Sequence, residues 1–186
     1  MKIEIIIPER HYIPLRAHLF QNELEQGSFL FARTAVTETY IVAEVVDQHF
    51  VRPDGWDVQG ELYLEMKDSE RAKIMAFARG KDLSVIDCHS HPKSGRNVSF
   101  SPSDKSGITE FAGYARWKLD GKPFMAIVWG ESSADAIAWH GDFARPSAVD
   151  RLTVPGTAAS AVLLRSTWFV EPEPIWHRRK HGRKSI

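Results

Sequence analysis

Two histidines separated by one residue are the first feature of this sequence that could do chemistry. His89 and His91 come at the end of an apolar run, 83–89, that predicts a strand. Side chains on a strand alternate between its two faces, so both histidines point the same way, with Cα atoms about 6–7 Å apart. At that separation both imidazoles can bind one metal ion at about 2.0–2.1 Å. The pair therefore predicts part of a metal site.

A third ligand must come from elsewhere, and Asp104 is the candidate. It closes the segment SPSD, 101–104, which also predicts the start of a helix. Ser101 is a favoured N-cap, Pro102 takes the favoured first helical position, and Asp104 complements the helix dipole. Such a cap contributes about 1 kcal/mol, whereas a bound zinc ion can contribute an order of magnitude more. Both interpretations hold together, because a helix start can hold a serine and an aspartate rigidly toward a metal.

The two residues before His89 fall on opposite faces of the predicted strand. Cys88 points away from the histidines, so it is a poor ligand and is expected to be a small core residue. Asp87 shares the face of His89. It could orient an imidazole by a hydrogen bond, or it could be an ordinary polar residue at a strand end. The sequence leaves both interpretations of Asp87 open.

The segment HSHP at 89–92, followed by SPSD at 101–104, resembles the motif of the JAMM zinc metalloproteases, a family also called JAB or MPN. That motif is H-[ST]-H-P, a short loop and then S-x-x-D. Nine residues separate His91 from Ser101 here, whereas the commonest family spacing is seven. A loop that contains glycine and lysine can absorb the difference without moving the helix start.

The same family carries a glutamate far upstream, in a pattern such as E-x-x-G-x-L. Residues 25–31, EQGSFLF, are similar to it, with the glycine one place early. The resemblance therefore places this role on Glu25, with Glu23 as the alternative. It covers about residues 3–140 and implies the layered JAB/MPN fold, in which a mixed sheet is flanked by helices.

The resemblance implies a zinc ion held by His89, His91 and Asp104, with the fourth position open to water. Glu25 would be the general base, and Ser101 would donate a hydrogen bond to the developing oxyanion. The implied reaction is hydrolysis of the peptide or isopeptide bond after the C-terminal Gly-Gly of a ubiquitin-like or sulfur-carrier protein. Such a tail needs a narrow groove, which strand addition can supply.

Other functions compete with hydrolysis. A family member could bind a ubiquitin-like partner without cutting it, although such scaffolds usually lack ligands that are present here. A zinc deaminase would need H-x-E and P-C-x-x-C, and a chain with one cysteine excludes that set. Nucleic-acid binding would have to use the basic tail, 171–186. Lysine plus arginine and aspartate plus glutamate both number 24, so a disordered, solvating tail is the better interpretation.

Composition predicts one compact domain, 1–170, followed by the tail. The chain has 186 residues, 43% of them hydrophobic and 26% charged, which are ordinary values for a soluble globular protein. A single cysteine gives no support to an oxidising compartment. No apolar run approaches the roughly 18 residues that span a bilayer. We therefore expect a cytoplasmic protein without a membrane segment.

The apolar patterns predict strands mixed with three helices, which is the α/β or α+β class with a mixed sheet flanked by helices. Pro14 could delay the first helix. Strands are expected at 2–7, 29–34, 39–46, 61–66, 83–89, 123–129, 135–140 and within 161–170, and helices at 9–22, 69–79 and 102–118.

The segment 47–60 contains turn formers and two aromatic residues, Phe50 and Trp56. It is predicted to be a surface insertion with exposed aromatic side chains, either unremarkable turns or one wall of a substrate groove. The loop 93–100 is the candidate for the opposite wall. The remaining histidines that lack partner spacing, His49, His140 and His177, are expected to be surface or loop residues.

Overall fold

The computed structural model describes residues 1–94, 97–141, 145–156 and 164–165. The predicted tail, 171–186, lies outside the described residues, as does most of the strand expected within 161–170. Three helices are present in the described part: Glu9–Leu19 (α1), Asp68–Gly80 (α2) and Pro102–Lys118 (α3). None of the helices described is long and apolar enough to cross a membrane.

Most of the strands belong to one mixed sheet. The strands are Lys2–Ile6 (β1), Gly27–Val36 (β2), Tyr40–Phe50 (β3), Trp56–Gln59 (β4), Leu64–Met66 (β5), Ser84–Ser90 (β6), Phe124–Trp129 (β7), Ala134–Trp139 (β8), Ser147–Ala148 (β9), Arg151–Thr153 (β10) and Leu164–Arg165 (β11). In the described part, the sheet order is β10-β1-β3-β2-β6-β7-β8-β11, with β9 paired to β8, and β4 and β5 form a separate hairpin. The predicted mixed sheet of the α+β class is confirmed.

The two faces of the sheet are covered by different helices. Leu15 and Leu19 of α1 pack on one face, in an apolar cluster that also holds Ile86 and Cys88 of β6. The helices α2 and α3 cover the other face, in a cluster that holds Val85 of the same strand. Every residue of β7 and β8 is buried, because both faces of these central strands are covered. Cys88 is therefore the core residue that the sequence predicts.

The first helix begins earlier than the proline suggests. The prediction that Pro14 could delay it is wrong, since α1 starts at Glu9 and contains Pro14. The carbonyl of Pro8 accepts hydrogen bonds from the backbone N–H groups of His11 and Tyr12, at 2.8 and 3.0 Å. The turn that these bonds close fixes the helix start before Pro14 is reached.

The segment 47–60 is not a surface insertion with exposed aromatic residues. Its first residues continue β3 as far as Phe50, which is half-buried, and its last residues form β4. Trp56 is only 9% exposed. Its indole lies against Gly27, where a Cβ atom would have no room. The aromatic residue that the sequence assigned to the surface therefore packs under the start of β2.

Two of the histidines expected on the surface or in loops have partners inside the fold. His140 follows β8 in a loop, as the sequence allows, but it is only 6% exposed, and its Nε2 lies 3.1 Å from Oγ of Ser147. His49 lies within β3, and its Nε2 is 2.7 Å from Oε1 of Glu70 on α2. His177 lies outside the described residues.

Candidate metal centre

The two histidines are placed by the end of β6, where the strand is held on both sides. Ser90, between them, donates its N–H to the carbonyl of Gln26 and accepts the N–H of Gln26 on its Oγ, both at 3.0 Å. His91 follows the strand and donates its N–H to the carbonyl of Trp129 at 2.8 Å. The imidazole rings of His89 and His91 lie 5.1 Å apart, centroid to centroid. The predicted convergence of the two side chains is present.

Asp104 reaches the same point from the first turn of α3. The Oγ of Ser101 accepts the N–H of Asp104 at 3.1 Å, and Oδ2 of Asp104 accepts the N–H of Ser101 at 2.6 Å, which together form a capping box. That same Oδ2 lies 3.4 Å from Nε2 of His89 and 3.3 Å from Nε2 of His91. The helix cap and the candidate ligand are therefore one carboxylate oxygen.

The three side chains fit a tetrahedral ion. His89, His91 and Asp104 offer ligand atoms that all lie within 4.8 Å of one another. Ligand atoms at about 2.0–2.1 Å from a tetrahedral zinc ion lie about 3.3–3.4 Å apart, which matches both nitrogen-to-oxygen distances. In addition, Nε2 of His89 is buried and has no hydrogen-bond partner in the described part of the chain. A buried nitrogen without a hydrogen bond, 3.4 Å from a carboxylate oxygen, is compatible with a metal ligand.

Protonation in this cluster favours metal binding by the carboxylate. Burial alone would raise the pKa of Asp104, but the two histidines and the N–H of Ser101 hold that pKa well below its usual range. Burial alone would lower the pKa of His89, and the Asp104 carboxylate outweighs burial and raises it. Asp104 is therefore ionised, and its negative charge favours the protonated form of His89. A bound metal cation would take the place of that proton.

Glu25 stands at the edge of the ligand cluster. It is only 4% exposed, and its Oε1 lies 3.4 Å from Nε2 of His91. Burial raises the pKa of Glu25, although His91 opposes the shift. The alternative, Glu23, points elsewhere: its side chain is 83% exposed, and its carboxylate lies 3.7 Å from Nζ of Lys93. Of the two glutamates, the structure brings Glu25 to the histidines.

The β4–β5 hairpin holds the backbone of Glu25 in place. The N–H of Glu25 donates to the carbonyl of Gly60 at 3.0 Å. The side-chain amide of Gln59 donates to the carbonyl of Glu25 and to Oε1 of Gln26, each at 3.0 Å. Glu25 precedes β2 in a stretch without helix or strand hydrogen bonds, so these contacts replace regular structure. The sequence analysis missed Gln59, because nothing local links it to a residue more than thirty positions away.

Ser101 is first of all a helix cap. Its Oγ accepts the N–H of Asp104 and lies 2.8 Å from Oγ of Ser103. The hydroxyl hydrogen of Ser101 can therefore point to Ser103 or to a third group, because the cap uses only an oxygen lone pair. The structure places Ser101 beside the candidate ligand Asp104, as the sequence predicts.

A cavity of about 610 Å³ lies beside the cluster. Glu25, His89 and Asp104 are among the residues that line it. The hairpin, α2 and α3 supply the other walls, which include Trp56, Met66, Arg71 and Phe111. Of the segment 47–60, Trp56 alone lines this cavity, and no described residue of the loop 93–100, the candidate for the opposite wall, lines it. Arg71 and Met66 were missed, since their spacing fits an ordinary helix and strand.

Asp87 also lines this cavity, on the face of His89. Its carboxylate makes no hydrogen bond or ion pair with any described residue, so the hydrogen bond to an imidazole that the sequence allowed is not formed. Burial raises the pKa of Asp87 to about 6, although His89 opposes the shift. Asp87 therefore stands beside His89 as a carboxylate without a hydrogen bond from the described part of the chain.

Comparison with known proteins adds little to this description. No model of a protein family matches the chain, and no curated protein matches it. Among solved structures, the chain is similar to protein DSY2949 from Desulfitobacterium hafniense, which was determined in solution. The two share 14% sequence identity at a TM-score of 0.49, over 81% of this chain and 92% of that chain. A likeness this distant carries no argument about function.

Proposed function

We propose that this chain is a zinc-dependent peptidase or isopeptidase of the JAMM type, which cleaves after the C-terminal Gly-Gly of a ubiquitin-like or sulfur-carrier protein. The observation that carries the proposal is the set of two imidazole nitrogens and one carboxylate oxygen, with nitrogen-to-oxygen distances of 3.3 and 3.4 Å, beside a buried glutamate. Structural zinc sites have four protein ligands, whereas catalytic sites have three and an open position. Three ligands with an adjacent base suit a hydrolase.

Glu25 carries the proton transfers in this proposal. An ionised carboxylate only accepts hydrogen bonds, so Glu25 can take a proton from the attacking water and later deliver it to the leaving amine. Burial raises its pKa, which makes it a stronger base than an exposed glutamate. Its backbone is fixed on both sides by the hairpin, so the carboxylate meets the water in a set position.

The ligand set and Ser101 act on the scissile carbonyl. A zinc ion held by His89, His91 and Asp104 would lower the pKa of a bound water toward about 7 and polarise that carbonyl. The Ser101 hydroxyl, whose oxygen caps α3, can turn its hydrogen toward the carbonyl oxygen as negative charge develops there. Because the capping box fixes both Ser101 and Asp104, the oxyanion donor and one ligand move as a unit.

The substrate tail fits the cavity beside β5. This short strand pairs with β4 on one side, and no described strand pairs with its other side. An extended peptide can therefore add to that edge and run toward Glu25. Trp56 and Phe111 line the route. A tail that ends in two glycines has no side chains to clash with such walls, which favours a Gly-Gly substrate.

The first experiment measures bound metal by elemental analysis in protein purified without a metal-affinity tag. We expect about one zinc ion per chain in the wild type, in Glu25→Gln and in the control His11→Ala, and none in His91→Ala. The same four proteins are then incubated with Gly-Gly-linked ubiquitin-like fusions, with and without a chelator. The rate of hydrolysis should fall about 10²–10⁴-fold in Glu25→Gln. Hydrolysis should disappear in His91→Ala or when a chelator is added.

Two results would contradict this assignment. Folded wild type that takes up no zinc would leave Ser101 and Asp104 as a helix cap only. Full activity in Glu25→Gln would move the base to Glu23, which a Glu23→Gln variant tests directly. Zinc binding with tight partner binding but no hydrolysis would favour the alternative function, a family member that binds a ubiquitin-like partner without cutting it.

A further inference from the structure

The segment between His91 and Ser101 joins the strand that carries the two histidines to the helix that carries Asp104. Where the structure describes this segment, its second half is packed like core. Val98 is completely buried and Phe100 is 4% exposed, and both belong to the apolar cluster that α2 and α3 cover. This packed stretch leads directly into the cap of α3, so its position bears on the third candidate ligand.

Ser133, in the turn between β7 and β8, holds the backbone of this segment. Its Oγ accepts the N–H of Val98 at 3.3 Å, and its side chain is only 2% exposed. A buried N–H that loses its acceptor is costly, so the serine oxygen restricts where Val98 can lie. Val98 comes shortly before Ser101, whose capping box includes Asp104. The contact therefore lies on the path into the first turn of α3.

The other end of the segment is held at the start of the same turn. The carbonyl of Trp129, the last residue of β7, accepts the N–H of His91 at 2.8 Å. Ser133 closes the turn that follows, and its contact is to Val98. One turn therefore contacts the backbone on both sides of the segment, next to the histidines and next to the helix start.

This turn is braced from within and from α1. The N–H of Gly130 donates to the carbonyl of Ser133 at 2.8 Å. The guanidinium of Arg16 on α1 donates to the carbonyls of Gly130 and Glu131, at 2.8 and 2.6 Å. A turn with these three hydrogen bonds is a firm support for the segment that it contacts.

We propose that Ser133 is a positioning residue for the metal centre. By holding Val98, it fixes the entry into α3 and keeps Asp104 at ligand distance from the histidines before any metal binds. The inference rests on the metal centre of the proposed function and adds a residue outside its ligand set. Ser133 does not line the cavity, so it acts through Val98 and not by contact with substrate. Without the serine oxygen, metal binding would have to order the segment, which lowers affinity.

The competing explanation is that α3 alone fixes Asp104. Ile108, Ala112 and Ala115 are buried in the core cluster, so the body of the helix is held without help from the segment. The first turn differs from the body, because none of residues 102–107 is buried. The place of that first turn therefore depends on the cap and on the chain that leads into it.

The test is the zinc affinity of full-length protein that has been stripped of metal, measured by competition with a chromophoric chelator. Ser133→Ala removes the acceptor, and the Kd for zinc should rise about 10–100-fold. Ser133→Thr keeps the hydroxyl and should restore most of the affinity. A wild-type Kd in Ser133→Ala, or an equal loss in both variants, would overturn the proposal.

Ser84→Ala is the matched control. Ser84 is completely buried at the other end of the strand that carries His89, and its Oγ lies 3.0 Å from Oγ1 of Thr34. This variant also removes one buried serine hydroxyl, so it should destabilise the metal-free protein as Ser133→Ala does, yet its Kd for zinc should stay at the wild-type value. Equal losses of zinc affinity in the two variants would show a general effect of destabilisation and overturn the proposal.

Amide hydrogen exchange tests the contact in the wild type, even if Ser133→Ala does not fold. The N–H of Val98 should be protected in the metal-free protein, because its acceptor is present before zinc binds. Protection that appears only after zinc is added would overturn the proposal, since the segment would then be ordered by the metal.

These measurements keep the inference distinct from the proposed hydrolysis. If the wild type bound zinc but cut no fusion, the proposed reaction would fail. The Kd values for zinc of the wild type, Ser133→Ala and Ser133→Thr would still decide whether Ser133 positions the metal centre.

Discussion

The two faces of β6 are built from alternate residues of one strand, yet one face packs in the core and the other lines a cavity. On the α1 face, Ile86 and Cys88 are completely buried in an apolar cluster. On the α2–α3 face, Val85 lies in the other core cluster, and the next two residues on that face, Asp87 and His89, line the cavity. The same strand therefore closes one side of the sheet with solid packing and opens a polar site on the other.

The electrostatics of the two faces differ as sharply as their packing. Burial raises the pKa of the Cys88 thiol far above its usual range, so this cysteine stays neutral and acts as an apolar filler. One residue further along, His89 faces Asp104, which raises the pKa of the imidazole despite its burial. The two environments differ because a second element, the start of α3, brings an opposite charge to His89 and none to Cys88.

Outside the candidate ligand set, the largest effect on stability is expected for a substitution on the α1 face. Ile86→Ala should lower the free energy of unfolding by about 2–5 kcal/mol, because it leaves a cavity in fully packed core. Zinc bound per folded molecule should be unchanged, since the side chain points away from the site. Urea unfolding and elemental analysis measure the two quantities. Loss of zinc from folded Ile86→Ala would show that the two faces are not independent.

A substitution on the α2–α3 face should change the free energy of unfolding in the opposite direction. In metal-free protein, the pKa of Asp87 is raised to about 6, so its charged form is disfavoured by folding. Asp87→Asn should therefore increase the free energy of unfolding at pH 8, by up to about 3 kcal/mol. The gain should shrink as the pH falls through 6 and disappear below about 4, where the carboxyl is neutral in both states. Urea titrations at pH 8, 6 and 4 measure this trend, and a gain that persisted at pH 4 would contradict it.

The contrast between the faces also explains what could be predicted from the sequence. The alternation of side chains along β6 follows from strand geometry alone. From this alternation the sequence predicted that Cys88 lies in the core and that the two histidines share one face. The cap at Ser101 and Asp104 is equally local, because it spans four residues. Local rules therefore predicted the candidate ligand set, and the structure brings those residues together.

Features made by contacts between distant segments could not be predicted in this way. Trp56 looked exposed because turn formers surround it, yet its indole fills the space left by the missing side chain of Gly27. His140 is a loop residue, yet it is buried because it follows directly after a fully buried strand. Gln59 and Arg71 carry no motif at all. For Trp56 and Gln59 the partner lies far away in sequence, so only the pairing of distant segments decides these contacts.

A smaller effect is expected where the open face meets the hairpin. Gln59→Leu removes the amide that donates to the carbonyl of Glu25, so the base should lose part of its fixed position. If the proposed hydrolysis holds, kcat should fall about tenfold, whereas KM and zinc content should stay near their wild-type values. Gln59→Glu, of nearly the same shape but without the donor, should behave in the same way. Full kcat in both variants would show that the backbone bond from Glu25 to Gly60 is sufficient.

The smallest effect concerns Glu70 on α2, a carboxylate on the same side of the sheet that is paired where Asp87 is not. Its oxygens lie 2.7 Å from Nε2 of His49 and 3.0 Å from Nζ of Lys73. Burial alone would raise the pKa of Glu70, but these partners outweigh burial and lower it.

Because the folded state lowers the pKa of Glu70, this residue contributes stability above the unfolded pKa of about 4.3, and that stability is lost as the pH falls. Glu70→Gln should therefore cost about 1 kcal/mol at pH 7, and the difference from wild type should fade in acid. Urea unfolding of metal-free Glu70→Gln and Asp87→Asn at the same pH values compares the two carboxylates directly. The differences should have opposite signs at pH 7 and converge toward zero near pH 3. Equal signs at pH 7 would mean that the presence of hydrogen-bonding partners does not decide which acidic residue of this face stabilises the fold.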